Sequence, residues 1–135
     1  MKIVLIMLSS VLAIATHAQK NVSANDSLLI GTWKGTSICQ VKSSPCHDEI
    51  AVYHITRGAE PNTFHMQMNK MVNGKEEEMG PLDYNFDATK QTLSCQDHQY
   101  NTVWNFKVSN NRMEGTLTSN HQLYRIIKLT KADAQ

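Results

Sequence analysis

From Gly31 onward the chain alternates between apolar and polar residues with a period of two, and this constrains it more than any other feature. That is the period of a pleated strand with one face buried. Tyr100, Thr102, Trp104, Phe106 and Val108 fall on one side of a strand, with Asn101, Asn105, Lys107 and Ser109 on the other. Phe64, Met66 and Met68 oppose His65, Gln67 and Asn69 in the same way. Leu82, Tyr84 and Phe86 form a third stripe, Leu93 and Cys95 a fourth, and Met113, Gly115 and Leu117 a fifth. Leu123, Arg125, Ile127 and Leu129 form the last. Turn residues separate the stripes. Asn73-Gly74 is the strongest hairpin signal, because both residues tolerate positive φ. Pro81 marks an irregular or edge segment, and Glu76-Glu77-Glu78 reads as a solvated hairpin tip. Adding Gly31–Cys39 and Glu49–Arg57 gives eight strands, and no stretch holds helical spacing. Eight sequential antiparallel strands predict an all-β fold, an eight-stranded antiparallel up-and-down β-barrel, with a sandwich as the alternative. A barrel of that size is either filled by its side chains or holds one small ligand.

The N-terminus obeys a different rule. Met1 and Lys2 precede an apolar stretch running to Ala15, and Thr16-His17-Ala18 offers a small-residue exit. This pattern predicts a signal peptide over 1–18. It is too short for a spanning helix, so no transmembrane segment is expected after cleavage. The exported chain, periplasmic or secreted, would keep 117 of the 135 residues and all three cysteines. Residues 19–27 read as a flexible lead-in, with Asn25-Asp26-Ser27 placed to cap one helical turn, and 28–135 as the barrel domain. Residues 130–135 read as a short polar tail.

Charge excludes other classes. The chain carries 13 Lys+Arg against 12 Asp+Glu, so it has no basic surplus to act as a nucleic-acid footprint. With 41% hydrophobic residues it is too apolar to be disordered. Cys39 and Cys46 flank the first predicted turn, and in an oxidising compartment a disulfide there closes a small loop. Cys95 is then left free; pairing of Cys95 with either of the others is the alternative. Cys46-His47-Asp48-Glu49 and Cys95-x-x-His98 lack the paired spacing of a zinc site, so no metal is assigned. No cofactor motif occurs. No nucleophile–base–orienter set can be assembled from spacing, so no catalytic residue is assigned.

Gly31-Thr32-Trp33 at the start of the first strand and Arg125 on the last resemble the calycin group, which includes lipocalins and fatty-acid-binding proteins. The resemblance implies that Trp33 sits at the closed barrel end with Arg125 packed across its ring. It also implies an interior that binds a small hydrophobic or amphipathic molecule. The candidate lining is Trp33, Ser37, His54, Phe64, Met66, Met68, Tyr84, Phe86, Trp104, Phe106 and Arg125. Gly35 and Ser37 share parity with Trp33 and leave room above the indole. His54 shares parity with Ile50 and Val52, so it and Arg125 are candidate polar anchors. The alternatives are a filled barrel whose loops at 40–48 and 73–80 contact a protein partner, and a small barrel enzyme.

Overall fold

Ser23 opens the described chain with a capping box. Its hydroxyl accepts from the Asp26 N–H at 3.1 Å, and the Asp26 carboxylate accepts from the Ser23 N–H at 3.2 Å. Helix α1 (Ala24–Leu29) follows. The cap therefore lies before the expected Asn25-Asp26-Ser27 run, because the S-x-x-D spacing satisfies two orphan N–H groups where a later start satisfies fewer. The structure, a computed structural model, describes residues 23–132. The expected signal peptide and residues 19–22 lie outside the described residues.

Eight strands succeed the helix: β1 (Gly31–Cys39), β2 (Glu49–Arg57), β3 (Thr63–Val72), β4 (Lys75–Asp87), β5 (Thr92–Asp97), β6 (Thr102–Ser109), β7 (Arg112–Ser119) and β8 (Gln122–Lys131). Each pairs antiparallel with the next, and β8 returns to β1, so the sheet is a closed barrel. Closure leaves no exposed edge at the seam. Asn73 and Gly74 take φ of 51° and 77°, which a tight hairpin between β3 and β4 demands.

The expectations differ from the structure at two turns. Glu76-Glu77-Glu78 belongs to β4 rather than to a hairpin tip, because the Asn73-Gly74 turn is so tight that pairing resumes at Lys75 opposite Val72. Tyr100 is not on an inward strand face. It lies in the β5–β6 turn and is 67% exposed. The Asp97 carboxylate accepts from the Gln99 N–H at 3.0 Å, and Asn101 takes a φ of 50°, so the reversal is not complete until Thr102.

One seam is incomplete. β4 meets β5 only where Asn85–Asp87 face Ser94–Thr92. The preceding half of β4 has no β5 partner, and Pro81 within it has no N–H to give. A bulge between Met68 and Asn69 lies opposite, and Gly80, with φ 134°, absorbs the distortion. The wall of the barrel therefore opens between β4 and β5 toward one end.

The other end is filled. Trp33, Phe64, Met66, Tyr84, Phe86, Phe106, Met113 and Ile127 are all buried in one continuous core. Phe64 meets Phe86 edge-on at 6.1 Å, and Phe106 packs against Tyr84 at 5.9 Å. Helix α1 closes this floor: the Trp33 indole N–H donates to the Leu29 carbonyl at 2.9 Å, and buried Asp26 pairs with Arg57.

Candidate binding site at the open end of the barrel

The open end is built by the last residues of β1 and the first of β2 and β8. Small Ser37 leaves space there above the core, and Arg125 fills part of it. The Arg125 guanidinium donates to the Ser37 carbonyl and hydroxyl at 3.3 and 3.2 Å, to the His47 carbonyl at 3.0 Å and to the Glu49 carboxylate at 3.3 Å. Such a fork fixes the ring of partners as well as its own position. Burial pushes the Tyr53 phenol well above its ordinary range, and the Glu49 charge adds to this, so the hydroxyl stays a neutral donor.

These groups line a cavity of about 160 Å³. Ser37, Glu49, Tyr53 and Arg125 form its polar side, and Met68, Met79 and Trp104 its apolar side. A second cavity of about 340 Å³ lies in the β4–β5 opening and shares Met68, Met79 and Trp104 as a common wall. Unbranched methionine side chains make that wall adaptable.

The cavity brings together four of the expected lining residues, Ser37, Met68, Trp104 and Arg125. Trp33, Phe64, Met66, Tyr84, Phe86 and Phe106 belong to the packed core and do not line it. His54 does not point inward. Ala51, Tyr53 and Ile55 are the core-facing residues of β2, which leaves His54 on the outer wall. There it bonds to the Thr32 hydroxyl at 3.0 Å and to Glu76 at 2.7 Å. Both faces of β2 are apolar, so alternation alone cannot set its parity; the larger Tyr53–Ile55 pair takes the inside. Tyr53, Glu49 and Met79 are lining residues that alternation missed. The bulk of Tyr53 was the available signal.

The Cys39–Cys46 disulfide is formed, with Cα atoms 5.9 Å apart, and Cys95 is free and buried. Burial raises its thiol above the ordinary value, so Cys95 is a poor nucleophile. Among the described residues no helix is long and apolar enough to cross a membrane.

No family model matches the chain, and no curated protein sequence matches it. Solved structures do. A point mutant of the fluorescent protein UnaG superposes with a TM-score of 0.50 at 10% identity, over 80% of this chain and 99% of that one. The two chains share a fold, here a closed eight-stranded antiparallel barrel. In this barrel, however, Arg125 is not across Trp33. The β1–β8 register sets Arg125 opposite Cys39 at the open end and Lys131 opposite Trp33 at the closed end. The Lys131 ammonium lies 5.7 Å from the indole centre and donates to the Ser27 and Leu28 carbonyls at 2.7 and 3.1 Å. Lysine therefore does at the floor of the barrel what arginine was expected to do, and Arg125 is released to the mouth.

Proposed function

We propose that the chain is an exported binding protein that holds a small amphipathic molecule at the open end of its barrel. The observation that carries this reading is the two-sided cavity. Polar Ser37, Tyr53, Glu49 and Arg125 face apolar Met68, Met79 and Trp104 above a filled floor. Ligand pockets are concave and mostly apolar, with a few convergent polar groups. About 160 Å³ is small for such a pocket, so the ligand also uses the adjoining space between β4 and β5. The apolar N-terminal run and the disulfide support export. The likeness to UnaG supports the barrel architecture that this reading needs.

The test is thermal unfolding with a panel of single-chain amphiphiles, together with tryptophan emission, to which Trp104 contributes from the cavity and Trp33 from the core. A ligand at a hundredfold excess over Kd stabilises the fold by about 2.7 kcal/mol, so the midpoint rises and the Trp104 share of the emission moves. If no member of the panel shifts either signal, and native mass spectrometry of the exported protein finds only the bare chain, the reading falls.

A further inference from the structure

The charge lining the β4–β5 opening has no partner. Asp97 ends β5 on the inward parity of Leu93 and Cys95 and is a lining residue of the 340 Å³ cavity. Its one described contact is the Gln99 N–H. Among the described residues, no Lys, Arg or His stands within ion-pair distance of it. Apart from the Thr102 side chain and the Gly80 backbone, the remainder of the cavity is lined by apolar or aromatic residues. Pro81 and Leu82 form the β4 lip, Met68 and Met79 the inner wall, and Trp104 and Tyr100 present rings from β6 and the turn before it.

Among the described residues lining the two cavities, Arg125 is the one cation, and it is already engaged. Arg125 gives four hydrogen bonds to protein acceptors, one of them to Glu49, with which it forms an ion pair at 3.3 Å. A carboxylate head entering here would have to displace Glu49 and would face the Asp97 charge as well. An ammonium head meets the opposite situation: a carboxylate without an ion-pair partner in a cavity that Trp104 and Tyr100 also line, and aromatic rings attract a cation through their quadrupoles.

From this we propose that the β4–β5 opening is a subsite for an organic cation, and that the ligand is an apolar molecule bearing an ammonium group seated between Asp97, Trp104 and Tyr100. This rests on the binding function proposed above and narrows it to one class of ligand. The ammonium sits in the wall opening, and the apolar portion runs over Met68 and Met79 toward the cavity beneath Arg125.

Three probes with the same tail separate the possibilities: dodecyltrimethylammonium, 1-dodecanol and dodecanoate, the two ionic ones titrated below their micelle concentrations and the alcohol below its solubility limit, each followed by tryptophan emission and calorimetry. The ammonium binds about fivefold or more tighter than the alcohol, the gain expected of a half-exposed ion pair with cation–π support, and dodecanoate binds weakest. Asp97→Asn keeps the acceptor for the Gln99 N–H, so the turn and the fold survive. It removes the preference for ammonium and leaves alcohol binding unchanged. Equal binding of the three probes, tightest binding by dodecanoate, or an unchanged ammonium preference in D97N overturns the cation subsite while the binding function stands. Binding of none of the three overturns both.

Discussion

Lys131 joins three parts of the closed end. Its ammonium satisfies two carbonyls at the end of α1 and lies over the Trp33 ring, which itself donates to Leu29. A cation at the C-terminal end of a helix also meets the negative pole of its dipole. Lys131→Ala removes all of this, and a loss of about 1–2 kcal/mol is expected in urea unfolding. Lys131→Met keeps an apolar stem over the indole and isolates the hydrogen-bonding share. Equal stability of wild type and both variants would show that α1 docks without the lysine. The sequence made Trp33 legible as a closed-end residue, but not its partner. A residue-type match selected Arg125, whereas the partner is fixed by register, and the β1–β8 register depends on where the last turn falls. On β2 a parity ambiguity hid Tyr53 and put His54 on the wrong face, because Ile50 and Val52 share the parity of His54 and read as a buried stripe.

Among the elements, β4 is the least supported. It runs for 13 residues but shares only three register pairs with β5. Its first half is held from the β3 side and by Glu76, which accepts from His54 at 2.7 Å and from the Asn69 amide at 2.9 Å. Those hydrogen bonds, His54 first, hold the Glu76 carboxyl below its ordinary value. A depressed carboxyl contributes stability that is present above its unfolded value and lost as pH falls through its folded one. Glu76→Gln should therefore cost about 0.5 kcal/mol near neutral pH, discounted for exposure, and nothing once the pH is below the folded value. In hydrogen exchange the amides of Lys75–Leu82 should open before those of Asn85–Asp87, with the difference widening in the variant. A stability gap between wild type and E76Q that stays constant down to the acid limit would rule out the clasp. Alternation and Asn73-Gly74 made the order of strands readable, and Pro81 announced the weak seam. The extent of β4 was not readable, because three consecutive glutamates look the same in a solvated tip as on the wall of a barrel.

For the whole molecule, closure is what makes eight short strands one unit, and its weakest connection is also its longest. Residues 40–48 join β1 to β2, whereas the β3–β4, β6–β7 and β7–β8 connections are two-residue turns. The Cys39–Cys46 bridge shortens that connection to a small covalent loop. Closing such a loop removes conformations from the unfolded chain worth about 2–3 kcal/mol. The bridge also orders the mouth. The Cys39 N–H donates to the Asp48 carboxylate at 2.9 Å, and the next two groups along, the His47 carbonyl and the Glu49 carboxylate, hold Arg125 on β8. The disulfide thus acts on β1, β2 and β8 at once. A Cys39→Ser, Cys46→Ser double variant should lose that roughly 2–3 kcal/mol in urea unfolding, with a slope equal or slightly steeper because the unfolded chain without its cross-link exposes more surface. Amide exchange should rise more at Ser37, Glu49 and Arg125 than at the floor around Trp33 and Met113, where protection falls only with the global stability. An equal loss at mouth and floor would mean that the clamp serves the unfolded chain alone and that the polar side of the cavity is held by Arg125 without it.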